Sequence, residues 1–195
     1  LDQAIAVNRS LLAAAPNDTT TLRKLAISLW YAAVVHRTNG RTAEAESAIE
    51  EAASLSRRMQ ENDPEDAGAL QMVALTAEVL AQVHADKGDA PASYAASAEV
   101  LAAHEKLVAL AGNTPGALRS MTSAMRTMGG NRYNLGDVPG ACTIWRRTLA
   151  NYNALDRAGN LTPFDRQNGL PEIGGYVEAI CDGGKPRGQW PARPL

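Results

Sequence analysis

Any chemistry in this chain has to come from few side chains. His36 and His84 lie 48 residues apart, and two imidazoles brought together by a repeating fold could hold a divalent cation or move a proton. The regularity itself argues for a plainer role, since a residue that returns with the period of its own chain more commonly serves packing or an interhelical hydrogen bond. His104 stands beside Glu105 and reads as a half-buried or solvated helix residue. Neither the His-Glu-x-x-His zinc spacing nor a Cys-x-x-Cys pair occurs. Cys142 falls in the first turn of an expected helix, where the dipole favours a thiolate, while its repeat counterparts Glu46 and Tyr94 argue for an outward or groove-side position. A reactive thiol, a disulfide with Cys181 and an inert thiol all stay open. There is no Gly-x-Ser-x-Gly elbow, and no phosphate-cradling glycine loop follows a strand. The expectation is a noncatalytic chain with no metal and no cofactor. Three sites fit the glycosylation pattern, at Asn8, Asn17 and Asn160, a short motif that arises easily by chance.

The elements that would position these residues follow from a repeated turn. Thr38-Asn39-Gly40-Arg41 returns as Asp86-Lys87-Gly88-Asp89 and as Asn134-Leu135-Gly136-Asp137. Each glycine is followed five positions later by a small residue, Ala45, Ser93 or Ala141. A left-handed glycine ends one helix, and the small residue lets the next pack closely against it. Residues 1–15 match the second helix of the following unit, with Pro16 falling on Pro64, so the chain opens halfway through a repeat, as expected of a piece of a longer protein. Complete repeats then span 16–63, 64–111 and 112–158. After Gly159 the period fails: Arg166 stands where Leu22, Leu70 and Leu118 predict an apolar residue. Residues 159–181 read as capping helices, Pro163 to Asn168 and Glu172 to Cys181, and 182–195 as an irregular tail.

Composition agrees with helices. Of 195 residues 45% are hydrophobic and only 5% aromatic, which favours closely packed α-helices over sheet. A net charge of -2 and scattered arginines offer no field for a nucleic-acid backbone. The longest apolar run, Leu25 to Val35, is broken by Ser28 and is too short to span a bilayer. Gly129-Gly130 lies inside an expected helix, where glycine costs about 1 kcal/mol against alanine, so close helix packing, a kink or a ligand at the backbone must offset it.

The turn glycines, the small residues Ala33, Ala81 and Gly129 seven positions before them, and the large Ile49 and Trp145 nine positions after them resemble the tetratricopeptide repeat. Ser97 departs from the pattern, as do His36, His84 and Arg132 where that family places an aromatic; the unit is also longer than the usual 34 residues. The resemblance implies an all-α, right-handed α-solenoid of antiparallel helix pairs, with about three repeats and a C-terminal helical cap. It places the forward helices on a concave face, where Ile27, Trp30, Val34 and Arg37, then Leu75, Glu78, Gln82 and Asp86, then Arg126, Gly130, Tyr133 and Asn134 would line a groove for a partner peptide or helix. The plainer reading of Trp30 and Tyr133 is that they are partly buried core aromatics.

Leu11-Leu-Ala-Ala-Ala-Pro-Asn-Asp, followed by Leu22-Arg-Lys-Leu-Ala, is also similar to long-repeat arrays C-terminal to bacterial serine/threonine kinases and related regulators. That implies a scaffold or regulatory part of a larger bacterial protein, in the cytoplasm or on the extracytoplasmic face, with self-association through terminal repeats left open. The alternative is a ligand-sensing domain with an enclosed pocket near Gly129, Gly130 and Tyr133.

Overall fold

A computed structural model describes residues 1–183; the expected irregular tail, apart from Asp182 and Gly183, lies outside them. The described residues form eight α-helices and no strand: α1 (Asp2–Ala14), α2 (Thr19–Thr38), α3 (Thr42–Asn62), α4 (Ala67–Asp86), α5 (Ala90–Ala111), α6 (Pro115–Asn134), α7 (Val138–Arg157) and α8 (Leu170–Tyr176). Two π-helical turns, Asp165–Gly169 and Val177–Cys181, flank α8. The expected pair of short capping helices is thus one continuous helical run.

Local sequence explains where these helices start and stop. Asp18, Asp66, Thr114 and Asp137 each accept a hydrogen bond from a free amide in the first turn of α2, α4, α6 and α7, a cap worth about 1 kcal/mol. Gly40, Gly88 and Gly136 all have positive φ, and the amide after each reaches back to the carbonyl of His36, His84 or Arg132 at 2.9–3.0 Å. Those bonds satisfy helix-end carbonyls in the same way at all three turns. Pro115 and Pro139 sit in first turns, where proline removes no helical hydrogen bond. Helix α3 ends at Asn62 with no basic residue in its last turn. Arg57 and Arg58 therefore do not complement its terminal dipole; Arg57 pairs with Glu99 of α5 at 2.7 Å and Arg58 donates to the Pro16 carbonyl at 2.8 Å.

The chain forms two compact units, Leu1–Leu110 and Ala111–Leu195. In the first, consecutive helices pack against their neighbours and α2 also meets α4. Its core joins Leu22, Leu25, Leu29 and Ala33 of α2 with Ala45, Ile49 and Met59 of α3 and Met72, Val79 and Val83 of α4. Two buried hydroxyls, Ser56 and Thr76, meet at 2.9 Å between α3 and α4 while also bonding their own helical carbonyls, so neither is left unsatisfied. Helix α5 brings Ala103 against Val73 and Ala74 of α4. In the second unit α6 and α7 form a pair, and α7 packs against the run containing α8 around Trp145, Tyr152, Leu155, Ile173 and Tyr176.

Candidate functional site

In the first unit α2 and α4 lie parallel, because Arg23 near the start of α2 meets Asp66 at the start of α4 and Arg37 near its end meets Asp86 near the end of α4. The second contact joins three of the nominated groove residues. The Arg37 guanidinium donates Nε to Asp86 Oδ2 at 2.6 Å and Nη1 to Gln82 Oε1 at 2.8 Å. This fork ties the two helices in register and already occupies the cation that a partner carboxylate would seek. Trp30 and Val34, two turns and one turn before Arg37, are half-buried and packed against the core. Trp30 Nε1 is buried without a hydrogen-bond partner, while its ring meets Tyr31 edge-on at 4.7 Å. Glu78, one turn before Gln82, faces outward, yet the protein around it desolvates its carboxyl enough to raise its pKa. The strip thus joins an apolar shelf, a partly desolvated carboxyl and a satisfied ionic fork.

The second unit places the other nominees differently. Gly130 is buried, Asn134 is exposed, and Tyr133 is half-buried with its ring 5.7 Å from that of Trp145. Trp145 stacks in turn on Tyr176 at 5.0 Å. A Cβ on Gly129 would lie 2.4 Å from Trp145 Nε1 and 2.5 Å from Cδ1, so the missing side chain makes room for the indole. Of the three accounts of this glycine, close packing is the one this contact supports. Arg126 pairs with Glu172 at 2.8 Å, and Tyr176 donates its hydroxyl to the same carboxylate at 3.1 Å. Burial, reinforced by Glu172, pushes the Tyr176 phenol up to about 12. Tyr152, also buried, is raised in the same direction.

Cys142 and Cys181 form a disulfide. Of the outward or groove-side position expected for Cys142, the outward one is not found: Cys142 is buried, because the bridge draws the C-terminal helical run over the start of α7. Arg146 fastens the same run, donating to the Cys181 carbonyl at 3.2 Å and to Asp182 at 2.7 Å. His36 and His84 are half-buried, and the Nδ1 atom of each is buried without a hydrogen-bond partner, so packing rather than a bond through Nδ1 explains their recurrence. His104 is half-buried and desolvation lowers its pKa. Among the described residues no group of three or more His, Cys, Asp or Glu side chains is placed to hold a metal ion, and no helix is long and apolar enough to cross a membrane.

Sequence reasoning missed the partners of Arg126. Glu172 and Tyr176 lie beyond the last repeat, where the 48-residue register gives no guidance. The Trp145 contact had a readable signal, because the smallest residue in its column, Gly129, recurs with the largest in the column that faces it. No family model matches the chain, and no match is found among curated proteins or solved structures.

Proposed function

We propose that the chain is a noncatalytic interaction module of tetratricopeptide-like helix pairs, which holds a peptide or helix of a partner protein against the forward helices. The observation that carries this reading is the strip on α2 and α4. Trp30, Val34, Arg37, Glu78, Gln82 and Asp86 are water-accessible at least in part, and the Arg37 fork holds their two helices in fixed register. A preset strip of this kind lowers the ordering cost that a partner segment would otherwise face. Because Arg37 is already satisfied, Trp30 and Val34 supply the anchoring surface and the Arg37 fork supplies rigidity. The disulfide supports an oxidising compartment, in keeping with an extracytoplasmic regulatory part of a larger bacterial protein.

Selection of a random peptide library against the whole chain tests the proposal. Enriched peptides should lose roughly tenfold or more in affinity to Trp30→Ala, the scale of a central aromatic anchor. A selection that yields no binder, or binders indifferent to Trp30→Ala and Val34→Asp, would overturn it.

A further inference from the structure

The repeat supplies an internal standard for burial. Residues 48 positions apart take the same place in successive helix pairs, so a difference in burial between them reports what lies against each. On α3, Leu55 and Met59 are buried, Met59 at 1% exposure; their counterparts on α1, Val7 and Leu11, are exposed, Leu11 at 52%. On α4, Val79 and Val83 are buried, Val83 at 0%; their counterparts on α2, Tyr31 and Val35, are exposed, Val35 at 46%. Ile27 is exposed where Leu75 packs against the core. The helix that meets both α3 and α4 is α2. Helices α1 and α2 therefore present the seat that α3 and α4 present to α2, and five apolar side chains from two helices converge on it.

Charge specifies one end of this seat. In the occupied copy, Asp66 caps α4 through the Gly68 amide at 2.7 Å and also receives Arg23 of α2 at 2.9 Å. Its counterpart Asp18 caps α2 through the Thr21 amide at 3.0 Å and is exposed. A hydrogen bond from the Thr21 hydroxyl holds the Asp18 carboxyl below its usual range, which keeps it ionised and suited to a guanidinium. Isolated apolar residues on a surface need no explanation, but a contiguous set beside a fixed carboxylate marks a contact surface.

We propose that the α1–α2 groove docks a separate amphipathic helix patterned like α2, lying parallel to α2, with apolar residues at successive turns and an arginine near its start to meet Asp18. In α2 itself Arg23 is the fifth helical residue and Ala26, Ala32 and Ala33 provide the small surface. This site adjoins the strip that carries Trp30, Glu78 and Gln82, since Tyr31 meets Trp30, but it takes its specificity from helix register rather than from an aromatic anchor.

The test uses a fluorescent peptide with the sequence of residues 19–38, added to the whole chain and followed by anisotropy, with sedimentation of the protein alone alongside. Saturable one-to-one binding is expected, weakened at least tenfold by Leu11→Asp with Val35→Asp in the protein and several-fold by Arg23→Glu in the peptide. Both protein substitutions fall on exposed side chains, and an unchanged helical circular-dichroism spectrum establishes that the variant is folded. Three results would overturn the proposal. One is the absence of saturable binding. Another is binding that survives Leu11→Asp with Val35→Asp, because the peptide would then be displacing α2 from its own seat. The third is a protein dimer that Val35→Asp dissociates and that excludes the peptide, since a second copy would then cover this face.

Discussion

In Leu1–Leu110 the column seven residues before each turn glycine holds Ala33 and Ala81, and the column nine residues after holds Ile49 and Ser97; in Ala111–Leu195 the same columns hold Gly129 and Trp145. The backbone turns are alike, yet the volume is divided differently. The first unit spreads its burial over many alanines and leucines and ties its helices at the surface with ion pairs that themselves repeat, Arg9 with Glu51 and Arg57 with Glu99. The second concentrates burial in one indole, flanked by Tyr133 and Tyr176 and closed by a disulfide. Distributed packing should tolerate single losses, while concentrated packing should not.

The largest effect should follow Trp145→Ala. The indole is fully buried at the centre of the aromatic stack, and its loss should cost about 3–5 kcal/mol, read as a lower melting temperature and faster hydrogen exchange across α6 to α8. Gly129→Ala alone should also destabilise, because its Cβ meets the indole at 2.4 Å. Combined with Trp145→Ile it should become nearly neutral, since the pair then copies Ala33 with Ile49. Additive losses in that double mutant would break the comparison. Removing the disulfide with Cys142→Ser should come next. The bridge spans a sequence separation of 39 residues, and releasing it should cost about 2–4 kcal/mol, with exchange rising over Asp165–Cys181 while the first unit is unchanged.

How much of this could be read beforehand differs between the units for a physical reason. Helix ends were legible because caps and turn glycines act locally: Asp18, Gly40, Gly88 and Gly136 each do what their residue type favours. The resemblance nominated residues on α2 and α4, and of these Arg37, Gln82 and Asp86 meet. Their mutual saturation was not legible, since side-chain pairing across helices depends on axial register finer than a turn. The Cys142–Cys181 bridge stayed one open alternative among three, and the Glu172 contacts were out of reach, because residues after Gly159 follow no period and only the folded chain brings them to α6 and α7.

An intermediate, pH-dependent effect should separate the units. The Tyr176 phenol is pushed up to about 12 in the folded chain, against about 10 when unfolded. Stability from keeping it neutral is therefore complete below about pH 10 and is lost as pH rises through about 12. Hydrogen exchange measured across that window should show α7 and α8 loosening first, and Tyr176→Phe should remove the part of the response due to this group. Gly88→Val probes the first unit. Space around the glycine is open, with nothing within 4 Å of an added Cβ, so the cost is that of holding a β-branched residue at φ +76°, about 1–2 kcal/mol. Gly88→Asn should cost less, because asparagine tolerates that region, and equal melting temperatures for the two variants would count against the turn as the source of the effect.

The smallest effect should come from the ion pairs, and it is the sharpest test of distributed packing. Arg57 donates to both carboxylate oxygens of Glu99 at 2.7 Å, a geometry well suited to a strong bond. Both groups remain partly in water, so solvent and salt screen them, and Arg57→Ala should cost less than about 1 kcal/mol. A double-mutant cycle with Glu99→Ala, repeated at low and high salt, isolates the pair. If the coupling stays near a few tenths of a kcal/mol and shrinks with salt, the recurring pairs set helix register while the alanine and leucine core carries stability. A coupling of several kcal/mol that salt leaves untouched would instead make the surface pairs of the first unit as indispensable as Trp145 is to the second, and the contrast between the two would fail.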